Sequence, residues 1–186
     1  LRSLVGSEMC IRDRNGENYP FEAWNADQTL QSAMTSSVNW YFQSIDEQLA
    51  STNIYNYIQQ IGYGNENVSG DLSTYWLESS LKISPVEQVE LLMKLQNNSL
   101  GFSSENINAV KDSICLSSSN TGKFYGKTGT GRVGGQDVNG WFIGYIEIVN
   151  NIYFFATNIG ADNNATGSNA AEITMSILSD MNIWTQ

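Results

Sequence analysis

The stretch KFYGKTGTGRVGGQDVNGWFIGYIEIVNNIYFFATNI, residues 123–159, decides the fold of this chain. It contains three runs of aromatic and β-branched residues, which are typical of strands. The runs cover residues 123–130, 140–149 and 152–159. Asn150 and Asn151 separate the last two runs and favour a tight hairpin turn. The stretch therefore predicts three antiparallel strands.

The first of these strands ends in an unusual polar cluster. Lys127, Thr128 and Thr130 stand among glycines, with Gly129 between the threonines. Glycine in a strand allows another backbone or a ligand to approach closely. We therefore expect an edge strand that presents a cation and hydroxyl groups to a ligand.

Helical patterns precede and follow the strands. Apolar residues recur every three or four positions over residues 27–49, and a polar break near residues 35–37 predicts two helices there. Ser84 as N-cap, Pro85 at the first helical position and Glu87 closing a capping box predict a helix as far as Gln96. Further helices are predicted over residues 52–61 before Gly62, around 104–116, and over 168–181 with Ala170, Ile173, Ile177 and Met181 on one face.

This order of elements indicates an α+β fold in a single domain. A helical lobe lies beside an antiparallel sheet, and the C-terminal helix packs on the back of that sheet. The length of 186 residues and the 41% of hydrophobic residues are sufficient for one substantial core.

Composition excludes several classes of function. The net charge of -10 and the lack of a basic cluster argue against nucleic acid and against an anionic membrane surface as partners. The chain has no histidine, so it can form neither a histidine triad nor a histidine-ligated zinc site, and we expect no metal. Two cysteines do not make a disulfide framework. No apolar run reaches the roughly 18 residues of a membrane span.

The first fourteen residues, LRSLVGSEMCIRDR, differ in style from the rest. They hold three of the nine basic residues and change abruptly to an Asn-rich sequence. We interpret residues 1–14 as foreign sequence and residues 15–186 as the C-terminal part of one domain. The alternative is an ordinary disordered N-terminal tail.

Two short motifs carry the chemistry. Lys127-Thr128-Gly129-Thr130 and Ser37-Val38-Asn39 match two of the three motifs of penicillin-interacting serine acyl-transferases, which are Lys-Thr-Gly, Ser-x-Asn and Ser-x-x-Lys. Each motif alone is weak. Their order along the chain, with helices between them and strands after, strengthens the match.

Longer stretches identify a family. Residues 24–43, 61–84 and 125–147 resemble class D (OXA-type) serine β-lactamases and the extracellular domains of BlaR/MecR sensor-transducers, within the penicillin-binding transpeptidase superfamily. Tyr63-Gly64-Asn65 is similar to the YGN element of the family, and Trp76-Leu77-Glu78 to its tryptophan-containing loop. The resemblance implies a partial serine β-lactamase or penicillin-binding-protein-like fold.

The resemblance also implies roles for matching residues. Ser37 would relay a proton to the lactam nitrogen, with Asn39 beside it, and Lys127 would keep the relay primed and attract the substrate carboxylate. Thr128 and Thr130 would bind that carboxylate, the N–H of Thr130 would join the oxyanion hole, and Gly129 would leave room for the ligand. Trp76 would steady a carbamylated lysine, the base of class D enzymes, which we expect upstream of this chain; no other cofactor is expected. The alternatives are purely structural: Trp76 would be a core residue and Asn39 a helix cap.

Two differences from the class D sequence pattern leave the choice between an enzyme and a receptor open. Class D enzymes usually have Ser-x-Val at the relay position, whereas Ser37-Val38-Asn39 is more similar to sensors, penicillin-binding proteins and some Gram-positive class D enzymes. The arginine that many class D enzymes place before the last helix is absent from residues 160–172. We expect the threonines to take over its work, and regard Arg132 as a poor substitute.

The nucleophile motif is not found where the family has it. The only Ser-x-x-Lys in the chain is Ser79 to Lys82, which follows Ser37 instead of preceding it and falls in a loop that enters a helix. We interpret it as a chance match and place the true motif upstream of Asn15. This chain should then form no acyl adduct, and loss of the nucleophile helix should expose apolar faces near Met34 and Leu91 and weaken cooperative unfolding.

Four functions remain open from the sequence. The leading one is a class D β-lactamase that hydrolyses the lactam amide through an acyl-enzyme. The alternatives are the β-lactam-binding domain of a BlaR/MecR-type sensor and a penicillin-binding transpeptidase domain, and a non-catalytic binding module remains if residues 1–14 are native. All imply β-lactams as ligands and an extracytoplasmic location, with a membrane reached only through an upstream anchor.

Overall fold

The computed structural model describes residues 11–184. The described part is an α+β fold in which a group of short helices lies against one face of a four-stranded antiparallel sheet, and one long helix covers the other face. The predicted fold class is confirmed. The boundary predicted at residue 14 stays a prediction.

The helices of the first half follow the predicted pattern. A short 3-10 helix (Glu22–Asn25) precedes them. They are α1 (Leu30–Thr35), α2 (Asn39–Gln48), α3 (Ser51–Ile61) and α4 (Pro85–Gln96). The break between α1 and α2 falls where the polar residues predict it. Gly62 ends α3 in the left-handed conformation with φ 66°, and Ser84 and Glu87 form the predicted capping box of α4.

One helix is shorter than predicted and one strand was missed. Helix α5 is Ser104–Ser113, and Cys115–Ser118 form a strand, β1, that pairs with the strand after it. The prediction of helix as far as Leu116 and of only three strands was therefore wrong. The segment is short and polar, so its strand character comes from pairing and not from its own pattern.

The sheet is built as a simple meander in the order β1-β2-β3-β4. The long strands are β2 (Gly122–Val133), β3 (Gln136–Ile148) and β4 (Asn151–Gly160). Asn150 has φ 66° in the predicted hairpin turn between β3 and β4. Strand β2 pairs with β3 along its whole length, but β1 contacts it only near Tyr125. Beyond Lys127, the other edge of β2 has no partner strand among the described residues.

Helix α6 (Gly167–Asp180) packs on one face of the sheet. The core there joins helix and strands: Phe124, Phe142, Ile146, Ala170 and Leu178. The face predicted for α6 was wrong apart from Ala170. Ile173, Ile177 and Met181 are exposed by 44, 50 and 62%, and the buried row continues through Thr174 and Leu178. Thr174 was missed because a polar residue is not expected in a buried row unless its hydroxyl has hydrogen-bond partners, which the sequence does not reveal. The partners are Thr157 Oγ1 and the Ala170 carbonyl oxygen, which accept from the Thr174 hydroxyl at 2.6 and 2.8 Å.

The other face of the sheet packs against α4 and the residues near α5. Tyr145 is fully buried and stacks on Tyr125 with ring centroids 4.5 Å apart, and Leu92 and Ile114 complete this cluster. Met34 and Leu91 are half-buried. Within residues 11–184 no helix combines the length and the apolarity needed to cross a membrane, and no group of three acidic, cysteine or histidine residues is placed to hold a metal ion.

Candidate functional site

Ser37 and Lys127 meet at the junction of the helices and the sheet. The Lys127 ammonium donates hydrogen bonds to Ser37 Oγ at 2.5 Å and to the Thr128 carbonyl oxygen at 2.7 Å. The two residues are 90 positions apart in sequence. The contact therefore brings together the two motifs that the sequence analysis selected.

Local backbone geometry presents the Ser37 hydroxyl. Ser37 follows α1 with φ 52°, a left-handed conformation that is uncommon for a residue with a side chain. The Val38 N–H bonds back to the Ala33 carbonyl oxygen at 2.8 Å, and Val38 and Ala33 are fully buried. Packing on both sides thus fixes the turn in which Ser37 sits. Retained strain of this kind is common at functional sites.

Asn39 begins the next helix. It is the first residue of α2, and the N-cap position belongs to Val38, whose side chain cannot cap. The structure therefore does not assign Asn39 the role of a helix cap. Asn39 is the second residue after Ser37 and lies in the first turn of α2.

Burial lowers the pKa of Lys127. Partial removal from water lowers the pKa of the Lys127 ammonium from its ordinary value, because burial disfavours the charged form. An amine with a lowered pKa, in direct contact with a hydroxyl, can pass a proton through that hydroxyl. The pair has the geometry of a proton relay and also supplies positive charge.

Alternation along β2 separates the other motif residues. Lys127 and Gly129 lie on the face toward the helices, whereas Thr128 and Thr130 lie on the same face as the buried Phe124, toward α6. Thr130 Oγ1 accepts a hydrogen bond from the Gly167 N–H at 2.9 Å. The Thr130 hydroxyl keeps its own proton for donation to a ligand.

Gly129 lies at an open part of the strand. A methyl group added there would meet only the Cβ of Trp141, at an ordinary distance of 3.8 Å. No protein side chain fills the space beside Gly129, and the strand edge next to it has no partner among residues 11–184. This stretch of β2 can therefore receive a ligand along its backbone.

A separate cavity does not contain this site. A space of about 520 Å³ lies between residues 11–19 and α2, where Arg12, Trp40 and Glu47 line it. None of its lining residues belongs to the two motifs. The candidate site is instead the open edge of β2 beside Ser37.

Comparison with known proteins gives the family. The family model of the penicillin binding protein transpeptidase domain matches residues 8–179. The chain belongs to the transpeptidase-domain family. It is 47% identical over 170 residues to "Regulatory protein BlaR1" of Bacillus licheniformis, covering 91% of this chain and 28% of that protein.

Solved structures of relatives agree with this assignment. The C-terminal domain of the Bacillus licheniformis BlaR penicillin-receptor is 45% identical, with a TM-score of 0.89, covering 94% of this chain and 71% of that one. A class D β-lactamase from Bacillus subtilis is 35% identical, with a TM-score of 0.87, covering 95% of this chain and 72% of that one. The transpeptidase-family chain thus spans just over a quarter of the curated relative and about seven tenths of each solved chain.

Trp76 of this transpeptidase-family chain lies in the loop before α4 and contacts α2. Its indole N–H donates a hydrogen bond to Asp46 Oδ2 at 3.1 Å. Burial raises the pKa of the Asp46 carboxyl, while hydrogen bonds from Trp76 and Tyr75 oppose this rise. Burial, together with the charge of Asp46, raises the pKa of Tyr75 to about 12. Asp46 was not predicted as a site residue from the sequence, because an acidic residue on a helix is ordinarily solvated.

The YGN element fixes the base of the loop that carries Trp76. The Asn65 N–H donates to the Lys82 carbonyl oxygen at 2.9 Å, its Oδ1 accepts from the Lys82 N–H at 3.0 Å, and its Nδ2 donates to the Ser80 carbonyl oxygen at 2.9 Å. Gly64 has φ 49°, and a side chain there would collide with the backbone of Lys82. The element therefore closes the loop of residues 66–81.

Ser79 and Lys82 do not form a nucleophile pair. They lie in the loop before α4 begins at Pro85, so they do not share a helical face. The Lys82 ammonium lies 3.6 Å from Glu78 Oε2 instead. The prediction that this Ser-x-x-Lys falls in a loop entering a helix is confirmed.

Arg132 is engaged elsewhere. Its Nε lies 2.6 Å from Asp137 Oδ1 across the turn between β2 and β3. The paired guanidinium is therefore a poor candidate for a ligand carboxylate, as the sequence analysis expected.

Proposed function

We propose that this chain forms the ligand-binding part of an extracytoplasmic β-lactam-binding domain of the receptor type. One observation carries the proposal. Lys127 and Ser37, from the two selected motifs, are in contact at 2.5 Å beside the unpaired edge of β2. A flat lactam ligand can lie along that edge with its carboxylate near the ammonium.

The residues at this edge have complementary roles. Lys127 attracts the carboxylate by charge, and the N–H of Thr130 serves as a hydrogen-bond donor. The hydroxyls of Thr128 and Thr130 lie on the face toward α6, so they donate to a ligand group that extends past the open edge of β2 to that face. Gly129 leaves the strand surface free. Asn39 is close to the relay residue Ser37 in sequence, and Trp76 holds its loop to α2 through Asp46. No metal and no nucleic acid take part.

Covalent reaction needs a serine that we place upstream of this chain. Its Oγ would bond to the lactam carbonyl carbon while the ring C–N bond breaks. The proton of that serine would be passed, through Ser37, to the lactam nitrogen. A carbamylated lysine would act as the base in an enzyme of class D.

A receptor is favoured over an enzyme by the comparisons. The chain is 47% identical to a regulatory protein and 45% identical to a penicillin-receptor domain, against 35% for a class D β-lactamase. Ser37-Val38-Asn39, in place of Ser-x-Val, supports the same choice. Such a receptor would face the outside of the cell and signal through an anchor elsewhere in the parent protein.

The second candidate is a class D serine β-lactamase. It is supported by the TM-score of 0.87 and the 95% coverage against a solved class D enzyme. A transpeptidase acting on peptidoglycan ranks third. The source gene distinguishes these candidates: a Ser-x-x-Lys after several membrane spans supports the receptor, whereas a secretion signal before the same motif supports the enzyme.

Ligand binding is tested on the chain itself. We expect benzylpenicillin to bind reversibly, with no mass adduct, and Lys127→Met to weaken the affinity at least about tenfold because a charged hydrogen-bond donor is lost. Lys123→Met is the matched control, since Lys123 is exposed on the same face of β2, four residues earlier. Equal affinities in all three proteins would overturn the proposed site, and a stable penicilloyl adduct would overturn the placement of the nucleophile upstream.

A further inference from the structure

Residues 71–80 form a strap between the helices and the sheet. At one point the strap is held by Trp76, whose indole bonds to Asp46 on α2. Two residues later Glu78 contacts the sheet, where its Oε1 accepts a hydrogen bond from Asn139 Nδ2 on β3 at 2.7 Å. The strap therefore joins the two halves of the molecule through adjacent polar contacts.

Neighbouring residues orient the contact between Glu78 and Asn139. Asn139 Oδ1 accepts a hydrogen bond from Asn158 Nδ2 of β4 at 2.6 Å, which fixes the direction of its amide toward Glu78. Lys82 adds an ion pair to Glu78 at 3.6 Å, although the Lys82 side chain is 56% exposed. The hydrogen bond from Asn139 is therefore the specific part of the contact, and the ion pair is secondary.

The Glu78 side chain also lies directly against the backbone of β2. A methyl group added at Gly131 would collide with the Glu78 side chain from Cγ to Oε1. Gly131 is on the same face of β2 as Lys127 and Gly129, about 7 Å beyond Gly129 at the usual rise of an extended strand. Glu78 thus closes the far end of the open stretch that begins at Lys127.

The backbone of Glu78 is strained in a way that requires outside support. Its φ is 45°, in the left-handed region that residues with side chains rarely adopt. Such a conformation persists where surrounding contacts determine it, and it clusters at functional sites. At Glu78 those contacts are Asn139 and the backbone of β2.

We propose that Glu78 is a positioning residue of the ligand site. By holding the strap against Gly131 and Asn139, it fixes how closely the strap approaches the stretch of β2 from Lys127 to Gly129. Glu78 contacts Gly131 at the end of that stretch and acts on the ligand through the position of the strap. This role rests on the proposed binding of β-lactams along β2.

The test disrupts one contact from both sides. Glu78→Ala removes the carboxylate, and Gly131→Ala expels it while Glu78 stays unchanged; Gly131 has an ordinary φ, so alanine fits its backbone. Glu78→Gln keeps an acceptor for Asn139 and serves as the conservative rescue. Glu90→Ala, at an exposed glutamate on α4, is the matched control.

Two measurements are made on each protein, the affinity for benzylpenicillin and the hydrogen exchange of residues 71–80. Glu78→Ala and Gly131→Ala should each weaken the affinity for benzylpenicillin about tenfold, which corresponds to the loss of one hydrogen bond. Both should also speed hydrogen exchange in the strap. The double variant should be no weaker than either single one, because both changes break the same contact. Glu78→Gln should stay within about twofold of the unchanged chain, as should Glu90→Ala.

The results separate this inference from the proposed function. If the unchanged chain binds benzylpenicillin and both alanine variants bind equally well, Glu78 does not position the site, even where exchange in the strap rises. If the double variant shows the product of the two single effects, the shared contact is also refuted. If the unchanged chain binds no benzylpenicillin, the proposed function fails and the role of Glu78 fails with it.

Discussion

The sheet with α6 and the helices with the strap are held together by different forces. Apolar side chains join β2, β3 and α6, where Ile146 and Ala170 are fully buried. Glycines allow close approach in the same region, since a side chain at Gly140 would collide with the backbone of Thr166 before α6, and one at Gly167 with the backbone of β2. The sheet side is a dense, mainly apolar core.

The helix side depends more on single polar contacts. Trp76 bonds to Asp46, Asn65 bonds to Lys82, and Glu78 bonds to Asn139. The candidate site lies between the two regions, because Lys127 belongs to the sheet and Ser37 to the helices. The sheet thus presents the binding edge, while the helix side supplies the relay hydroxyl and the strap.

The largest expected effect contrasts two isoleucines. Ile146 is fully buried in the apolar core of the sheet, and Ile54 on α3 is 4% exposed outside the three main clusters. Ile146→Ala should lower the opening free energy of β3 by about 4 kcal/mol, and Ile54→Ala should lower that of α3 by about 2 kcal/mol. Residue-resolved hydrogen exchange measures both, and a larger loss for Ile54→Ala would reverse the comparison.

A polar contact of the helix side comes next. Asp46→Ala should lower the opening free energy of the strap by about 2 kcal/mol, because the half-buried Trp76 N–H is left without its acceptor. Asp46→Asn keeps an acceptor at the same place and is the control. Hydrogen exchange of residues 71–80 measures the effect. The contact would be shown to be dispensable if both variants exchanged like the unchanged chain.

The partly buried charge of Lys127, which the proposed site needs for binding, should lower the free energy of unfolding at neutral pH. Its pKa in the folded chain is below that of the unfolded chain, so its stabilising effect is present above the ordinary lysine pKa and is lost as pH falls through the folded value. Lys127→Met should therefore raise stability at pH 7, by less than about 1 kcal/mol because partial exposure screens the cost. Urea midpoints should converge as the pH approaches the ordinary lysine pKa. A less stable variant at pH 7 would contradict this account.

The smallest effect is expected at the surface ion pair of Arg132 and Asp137. The Arg132 side chain is 63% exposed, so Arg132→Gln should change stability by less than about 0.5 kcal/mol and leave benzylpenicillin affinity unchanged. Urea midpoints and a ligand titration check both parts. A marked loss of affinity would make Arg132 the carboxylate ligand after all and would shift the site toward the end of β2.

Much of the fold could be predicted because its signals are local. The capping box at Ser84 and the apolar runs of β2 to β4 lie within a few residues of one another in sequence. Strand β1 could not be predicted, because a short polar segment becomes a strand only through its pairing with β2. The buried face of α6 was misassigned because Thr174 is buried by virtue of its hydrogen bonds.

The candidate site could be predicted only in part. Ser37 and Lys127 were selected by motif, and the structure places them in contact. Asp46 was missed, and Glu78 was noted only as part of the Trp76-Leu77-Glu78 element. Their partners are 30 and 61 residues away in sequence, and no local pattern marks such pairs. The left-handed backbone of Glu78 leaves no trace in the residue type.

The central claim is that the open edge of β2 and the Ser37 turn form one ligand site. It is tested most directly by the amide NMR spectrum of the isotopically labelled chain during titration with benzylpenicillin. We predict that the largest signal changes fall on residues 127–131 and 37–39, from both halves of the molecule. Changes confined to other regions, such as the cavity beside residues 11–19, or a spectrum that does not change at all, would contradict it.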